Sequence, residues 1–299
     1  MFRYPEQKTF EIAGVKFGGQ PGQNLPVLIG TIFYENQNIL SQSGKDGFDR
    51  KKAEELINKQ HAASDLTKIP CATNVFCADA KTLAKRIDFV AGATKCAIFI
   101  DLPTSAVRLA ALKYIDEAGL SKRTIYNSIN MSINKDEIAA LKNSKIDSCL
   151  VLAYNPTDSS LEGKISCLEK AGAFGKGFLE IAKDCDIKNI LVDTAMMPLY
   201  HGAGISLKAV VTLKAKFGLP TGCAIHNAVA AWEWIRGREK EVRKTVDIAS
   251  NILPVILGAD WVLYGPIENA PKVFDTAAFA EIVLQESVAD FVDVKKIEL

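Results

Sequence analysis

The sequence predicts a closed (β/α)8 barrel, in which helices surround a parallel eight-stranded sheet, with a β-hairpin in front of it. Three observations predict this fold. Short apolar runs alternate with longer helix-like runs, and alternating units of this kind form parallel sheets. The strand-like runs are apolar throughout, as expected when both faces of a sheet are buried. Eight such units of roughly 30 residues match the usual size of a barrel.

The first element, Thr9–Gly19, is predicted to be an antiparallel hairpin. Its apolar positions flank a turn at Ala13-Gly14, and no helix-like run follows it. We therefore expect this hairpin to be an appendage of the barrel or a plug in it.

Each barrel strand is predicted from a short, apolar, β-capable run. The predicted strands are Val27–Tyr34, Pro70–Cys77, Cys96–Asp101, Thr124–Asn130, Ser148–Asn155, Asn189–Asp193, Pro220–Ile225 and Asp260–Tyr264. The predicted helices are Asp49–His61, Asp79–Ala91, Thr104–Ala118, Lys135–Leu141, Ala173–Asp184, Ile205–Phe217, Ala228–Arg236, Lys240–Leu257 and Lys272–Ser287. Gly119 and Gly218 stand where two helices should end. The irregular stretches Glu35–Phe48 and Thr157–Gly172 are predicted to be loops over the barrel mouth.

An open doubly wound sheet is the alternative fold. Such a sheet usually has a glycine-rich first turn, and the turn after Val27–Tyr34 has none. No linker, low-complexity tract or second domain stands out, so residues 1–299 are predicted to form a single domain.

Composition excludes several classes of function. With 36 basic and 35 acidic residues, the net charge of +1 gives no electrostatic reason to expect nucleic acid or an anionic membrane as partner. No apolar run reaches the ~20 residues of a membrane span, and the first residues do not form a signal peptide. We therefore expect a soluble, cytoplasmic protein without a membrane segment.

The cysteines and histidines do not predict a metal site. The seven cysteines are scattered, and most fall in apolar runs where a free thiol packs as a small hydrophobic group. The histidines, His61, His201 and His226, share no ligand spacing, which argues against a Cys/His zinc site.

Polar residues stand at the ends of six predicted strands, and all strand carboxyl ends of a barrel meet at one rim that carries the active site. In chain order they are Asp101, Asn127, Ser128, Asn130, Asn155, Asp193, Thr194, His226, Asn227, Glu268 and Asn269. Any one of them could cap a helix or hold a loop, as Asn227 would at the helix after strand seven. Their recurrence instead favours a binding site rich in carboxylates and carboxamides.

Carboxylates and carboxamides suit a ligand with an amidine-like edge, such as a pterin. A carboxylate accepts two parallel N–H bonds from N3–H and the 2-amino group, and asparagine both donates and accepts without charge. The predicted rim is poor in lysine and arginine, and a rim without lysine argues against a Schiff-base aldolase. The lack of clustered histidine and acid ligands argues against a metallohydrolase.

Several long phrases point to a known family. They are FEIAGVKFGGQPG (Phe10–Gly22), YNSIN (Tyr126–Asn130), GLPTGCAIHNAVAAW (Gly218–Trp232) and GADWVLYGPIENA (Gly258–Ala270). In these the sequence resembles the H-subunit family of tetrahydromethanopterin S-methyltransferase, which includes bacterial relatives that methylate tetrahydrofolate from a methylated corrinoid protein. The resemblance spans nearly the whole chain and implies a (β/α)8 barrel that binds a reduced pterin at its carboxyl face, usually as a homodimer.

The resemblance also implies roles for individual residues. Related corrinoid methyltransferases have an acid ending strand three and an Asn-Ser pair ending strand four, which Asp101 and Asn127-Ser128 match. They have an Asp on strand six, matched by Asp193, and an Asn near the pterin N5 on strand seven, matched by Asn227. Asn227 is thus the predicted catalytic residue, and the others are predicted substrate ligands.

Further rim residues are predicted to form the wall of the site: Asn130, Asn155, Glu268 and Asn269. Dihydropteroate synthases, which are distant relatives, place a lysine near the end of strand seven, where this chain has CAIHNA. Dihydropteroate synthesis is therefore disfavoured.

The implied reaction moves a methyl group from methylcob(III)alamin to N5 of tetrahydrofolate, giving 5-methyltetrahydrofolate and cob(I)alamin. The chain lacks the Asp-x-His-x-x-Gly segment that ligates the cobalt of cobalamin, since Leu199 stands two residues before His201. The cobalamin is therefore expected on a separate corrinoid protein. The glycines near His201 favour either a flexible rim loop or an anion-binding loop at the next helix.

Two alternatives remain open at the level of sequence. The pterin could be tetrahydromethanopterin, with the chain as one component of a larger complex. The barrel could instead bind a pterin or a corrinoid protein without catalysis, although the retained Asp101, Asn127, Asp193 and Asn227 favour an enzyme.

Overall fold

An antiparallel hairpin opens the structure, a computed structural model that describes residues 3–40 and 47–297. Its strands are β1 (Thr9–Ile12) and β2 (Val15–Gly18). Ala13 and Gly14 between them both have positive φ angles, as a tight two-residue turn requires. The predicted hairpin is confirmed.

A closed barrel of eight parallel strands follows. The strands are β3 (Val27–Ile32), β4 (Cys71–Phe76), β5 (Ile98–Asp101), β6 (Thr124–Ile129), β7 (Ser148–Leu152), β8 (Asn189–Asp193), β9 (Thr221–Cys223) and β10 (Trp261–Pro266). They pair in the order β10-β3-β4-β5-β6-β7-β8-β9, and each neighbouring pair is parallel. The predicted fold class is confirmed, and an open sheet is excluded.

Helices connect successive strands on the outside of the barrel. They are α1 (Arg50–Thr67), α2 (Ala80–Ala93), α3 (Ser105–Glu117), α4 (Lys135–Asn143), α5 (Leu161–Glu169), α6 (Phe178–Asp184), α7 (Ala203–Phe217), α8 (His226–Ala230), α9 (Glu233–Arg236), α10 (Lys240–Ser250), α11 (Ile252–Ile256) and α12 (Ala270–Val288). Side-chain oxygens of Asp49, Asp79, Thr104, Asn134 and Ser160 accept first-turn N–H bonds and so fix where their helices begin.

Aromatic side chains fill the barrel axis near its amino end. Phe99 of β5 and Trp261 of β10 are buried, with ring centroids 6.5 Å apart. Phe17 of the hairpin is fully buried and packs edge-on against Phe99 at 6.2 Å. Burying a phenylalanine stabilises a fold by roughly 1.5–3 kcal/mol. Because Phe99 and Trp261 lie at the starts of their strands, the hairpin is a plug in the amino end and not an appendage.

The segment Thr157–Gly172 was predicted to be a loop, but it contains helix α5. Ser160 caps the helix, and the side chains of Ile165, Cys167 and Leu168 are buried against the barrel. This packing outweighs the low helix propensity of the glycine and serine residues in the segment.

Other boundaries shift or split. The predicted helix Lys240–Leu257 is divided into α10 and α11, because Pro254 has no N–H to donate to the carbonyl of Ser250. The predicted helix Ala228–Arg236 is likewise divided, and its first part begins two residues early. The helix predicted over Ala173–Asp184 begins only at the start of α6.

The loop predicted over Glu35–Phe48 is described only in part. Leu40 and Phe48 form an isolated antiparallel bridge, and residues 41–46 lie outside the described residues. Within residues 3–40 and 47–297, no helix combines the length and apolar character that a membrane crossing requires.

Candidate functional site

A cavity of about 570 Å³ opens at the carboxyl ends of the barrel strands. Its volume lies within the usual range of small-molecule sites. Predicted site residues that line it are Asp101, Asn127, Ser128, Asp193 and Asn227. The structure therefore brings together side chains from four separate strand ends, as the barrel prediction requires.

Two carboxylates face this cavity, one buried and one half-buried. Asp193, the last residue of β8, is 9% exposed, and its Oδ1 accepts a bond from the Ala195 N–H at 2.8 Å. Burial raises the pKa of Asp193 to about 6, and the nearby Asp101 adds to this rise. Burial also raises the pKa of Asp101, whose Oδ2 accepts a bond from Asn74 at 3.3 Å. Both carboxylates keep acceptor capacity for a ligand.

Asn74 is a buried polar residue in β4 that the sequence analysis missed. Its Nδ2 donates to Thr31 Oγ1 at 3.2 Å as well as to Asp101. Its Oδ1 is buried and has no hydrogen-bond partner among the described residues. Leaving a buried amide oxygen unpaired costs free energy. An amide side chain inside a buried strand was the signal that could have identified it.

Two carboxamides face the cavity from different elements. Asn127 belongs to β6 and Asn227 to the first turn of α8, and neither side chain forms a hydrogen bond within the described part of the chain. The interpretation of Asn227 as a helix cap is wrong, because α8 begins at His226 and the N-cap position belongs to Ile225. The amide of Asn227 is exposed and free to contact a ligand.

His226 lines the cavity beside Asn227. Its ring lies against Gly265, where φ is 87° and an added Cβ would come within 2.6 Å of Nδ1. Glycine is therefore required at this position both by the backbone and by the ring. Burial lowers the pKa of His226 to about 4, so the imidazole is neutral at pH 7.

Arg108 reaches the cavity from α3 and makes a buried ion pair with Glu137 of α4. Its Nε and Nη2 donate to the two carboxylate oxygens at 2.8 and 2.9 Å, and both side chains are almost fully buried. Tyr126 donates to the same carboxylate at 2.9 Å. A bidentate pair of this kind fixes geometry, so it makes one wall of the cavity rigid.

Lys164 of α5 lies near Asp193, against the backbone that follows β8. Its buried Nζ donates to the carbonyls of Thr194 at 2.7 Å, Ala195 at 3.1 Å and Ala153 at 3.4 Å. Burial lowers the pKa of Lys164, while Asp193 opposes that shift. The prediction of a rim poor in lysine and arginine was therefore incomplete, since long side chains from helices reach it.

Two predicted ligands lie outside the cavity lining. The Oδ1 of Asn155 accepts bonds from the backbone and hydroxyl of Thr157 at 3.0 and 2.8 Å, so it organises a local turn. Glu268 accepts bonds from Tyr34 at 3.1 Å and Gln37 at 2.9 Å, and thus supports Tyr34, which does line the cavity. Their roles as substrate ligands stay predictions.

The remaining wall candidates divide in the same way. Asn130 lines the cavity and accepts a bond from the backbone of Ser132 at 2.8 Å. Asn269 instead donates to Asp247 at 3.1 Å.

An aromatic surface lies beside the mouth, on the segments that follow β8 and β9 and include α9. It consists of Tyr200, Trp232 and Trp234, and we call it the aromatic ledge. Tyr200 is 89% and Trp234 57% exposed, and the two tryptophan rings lie 4.8 Å apart. Exposed aromatic groups at this density are typical of protein contact surfaces.

Comparison with known proteins shows the family. The family model described as the MtrH subunit of tetrahydromethanopterin S-methyltransferase matches residues 5–295. The chain is 44% identical over 303 residues to the H subunit of the mtx methyltransferase of Methanosarcina mazei, covering 100% of this chain and 97% of that one. It is 42% identical over 295 residues to the H subunit of tetrahydromethanopterin S-methyltransferase of Methanothermobacter marburgensis, covering 97% and 95%. The chain belongs to the MtrH family.

A solved structure supports the fold alone. Dihydropteroate synthase of Yersinia pestis superimposes with a TM-score of 0.64 at 12% identity, covering 92% of this chain and 98% of that chain. The barrel is thus shared with that enzyme, and the resemblance stated from sequence is confirmed by the family match.

Proposed function

We propose that this member of the MtrH family transfers a methyl group between N5 of a reduced pterin and the cobalt of a corrinoid carried by a separate protein. Membership of a methyltransferase family supports the reaction class. We propose a pterin as the ligand because two carboxylates, the half-buried Asp101 and the buried Asp193, face one cavity with unused acceptor capacity.

Asp193 is the proposed anchor for the polar edge of the pterin. An ionised carboxylate accepts two parallel N–H bonds, one from N3–H and one from the 2-amino group. With a pKa of about 6 in the free protein, Asp193 is mostly ionised at pH 7, and two bound donors favour that charge further. At the neighbouring ring positions, Asp101 accepts hydrogen bonds and Asn127 accepts or donates them.

Asn227 is the proposed contact of N5. The N5 lone pair forms the new N–C bond. The Co–C bond breaks at the same time, and the electron pair of that bond stays on cobalt as Co(I). The proton displaced from N5 leaves to solvent through the mouth. A carboxamide follows this change of protonation because it both donates and accepts without acquiring charge. The neutral imidazole of His226 adds no competing charge beside N5.

For the identity of the pterin we propose tetrahydromethanopterin, in place of the tetrahydrofolate favoured from sequence. Relatives at 42% and 40% identity over nearly the whole chain are named tetrahydromethanopterin methyltransferases, which supports this choice. The two pterins share the polar edge that the carboxylates contact, so they must be distinguished by experiment.

The corrinoid protein is proposed to dock at the aromatic ledge. This surface adjoins the mouth, and Tyr200 and Trp234 expose apolar surface whose burial against a partner would be favourable. A homodimer, which the family implies, stays a prediction.

Binding and turnover test these proposals in parallel. Calorimetry with each pterin should give tighter binding for tetrahydromethanopterin, and Asp193→Ala should weaken it by about 1–3 kcal/mol, or roughly 5- to 150-fold. The exposed Asp290→Ala is the matched control. Mixing protein, methylcobalamin and pterin should produce the cob(I)alamin spectrum. Pterin binding without any cob(I)alamin, even with a corrinoid protein, would identify a docking barrel and not an enzyme.

A further inference from the structure

One histidine and two cysteines meet at the amino end of the barrel, opposite the cavity. His61 belongs to α1, Cys71 begins β4, and Cys96 lies just before β5. The two Sγ atoms are 3.9 Å apart, and the ligand atoms of all three residues lie within 4.8 Å of one another. The three side chains therefore converge on one small volume.

One ring nitrogen of the half-buried His61, Nε2, is buried without a hydrogen-bond partner among the described residues. A buried polar nitrogen left unpaired costs free energy, whereas a metal ion would satisfy it. This orphaned atom is an observation independent of the approach of the two thiols.

We propose that His61, Cys71 and Cys96 bind a Zn²⁺ ion, with water as the fourth ligand. Tetrahedral zinc holds cysteine sulfur at about 2.3 Å, which places two coordinated sulfurs roughly 3.8 Å apart. The two Sγ atoms of Cys71 and Cys96, which are 3.9 Å apart, would therefore need almost no movement to bind one zinc ion. One imidazole and two thiolates are a donor set that favours zinc over the hard ions magnesium and calcium.

The surroundings suit a structural ion. Arg123 donates to the carbonyls of Ala91 at 3.1 Å and Cys96 at 3.0 Å, so the loop that carries Cys96 is held in place. An ion here would tie α1 to the starts of β4 and β5. Because this end of a barrel is remote from the chemistry, we expect zinc to change stability and not turnover.

Sequence spacing could not reveal this cluster. Cys71 and Cys96 are separated by 25 positions, and no short ligand motif joins either to His61. The argument from spacing against zinc therefore does not apply to ligands that only the fold brings together.

The test uses the full chain, purified under reductant and stripped with a chelator. Competition with a chromogenic chelator should show one Zn²⁺ bound per chain, together with a rise in Tm. Co²⁺ should give the thiolate charge-transfer absorption of a tetrahedral site. His61→Ala and Cys96→Ser should each weaken Zn²⁺ binding at least tenfold and lose the rise in Tm. His201→Ala and Cys185→Ala are the matched controls and should bind as the unchanged chain does.

Three results would overturn the proposal. One is equal Zn²⁺ affinity in the cluster variants and the controls. Another is a reduced protein that neither competes for Zn²⁺ nor shows Co²⁺–thiolate absorption. The third is a Cys71–Cys96 disulfide, found by mass spectrometry, that persists under reductant. If a variant fails to fold, the Co²⁺ spectrum of the unchanged chain decides the question, since thiolate absorption requires cysteine ligation.

Discussion

Asp260, near the amino end of the barrel, and the two carboxylates that line the cavity have different hydrogen-bond and charge partners. Near the amino end, Asp260 is paired with the buried ammonium of Lys214 and accepts the Thr221 N–H at 2.8 Å. Burial raises the pKa of Asp260, and Lys214 opposes that rise directly. In the cavity, Asp193 is buried to a similar extent and Asp101 is half-buried, and each accepts only one neutral hydrogen bond from the residues described.

The difference supports the proposed binding site. A paired buried charge is satisfied within the protein, while an underpaired one raises the free energy of the empty site until a ligand supplies donors. We therefore expect the hairpin and the paired charges, including Arg108–Glu137 at the cavity wall, to act in stability, and the underpaired carboxylates to act in binding. Four predictions test this division, and the largest expected effect comes first.

Phe17→Ala should destabilise the protein by about 3–5 kcal/mol, because it removes the aromatic plug and leaves a cavity at the amino end. Denaturant unfolding measures the loss, and the exposed Phe279→Ala of α12 is the control, with a change within about 0.5 kcal/mol. At temperatures where the variant is folded, kcat should be unchanged. A lower kcat in folded protein would contradict the separation of the two ends.

Asn227→Ala should lower kcat about 10²- to 10³-fold, because the transition state loses a positioned hydrogen bond. Its stability should stay within about 0.5 kcal/mol, since the side chain is exposed and does not cap α8. The control is Asn143→Ala, an exposed amide at the end of α4. Turnover of Asn227→Ala equal to that control would remove Asn227 from the reaction.

Asp193→Asn should stabilise the unliganded protein at neutral pH while weakening pterin binding. Because the pKa of Asp193 is raised to about 6, its contribution to stability is present below about pH 4 and is lost as pH rises through 6. The variant lacks this titration. Relative to the unchanged chain it should gain up to about 3 kcal/mol between pH 4 and pH 7.

Unfolding curves at several pH values measure this difference. If the difference in free energy of unfolding between the two proteins does not depend on pH, Asp193 does not titrate in this range. His226 titrates in both proteins, so comparing them cancels its contribution.

Trp234→Ala should raise KM for the methylated corrinoid protein about 5- to 10-fold, as expected for an exposed aromatic anchor worth roughly 1–1.4 kcal/mol. The rate with free methylcobalamin should not change, because the small donor does not need the aromatic ledge. Phe279→Ala, an exposed aromatic elsewhere, serves as the control. Equal effects on both donors would place Trp234 in the cavity chemistry and not in docking.

Sequence patterns predicted the residues at the strand ends better than those in the connecting loops and helices. Asp101 and Asp193 could be found because strand ends meet at one rim whatever the details of the helices. Asn155 was predicted to end strand five, but β7 ends at Leu152, three residues earlier. Lys164 was missed because its helix is stabilised by tertiary packing that local propensity does not contain.

The amino end was harder to predict, since its contacts join residues far apart in the chain. The apolar pattern predicted the hairpin, but nothing local indicates that Phe17 meets Phe99 or that Lys214 meets Asp260. Pairings of this kind depend on how the whole barrel closes.

The plugged amino end also has a kinetic consequence. Because Phe17, Phe99 and Trp261 fill the axis of the barrel, the pterin and its methyl-carrying partner must come and go by the same opening. A docked partner then covers the bound pterin. We expect a compulsory order in which the pterin enters first and leaves last, and an excess of the carrier protein should inhibit by trapping the product beneath it.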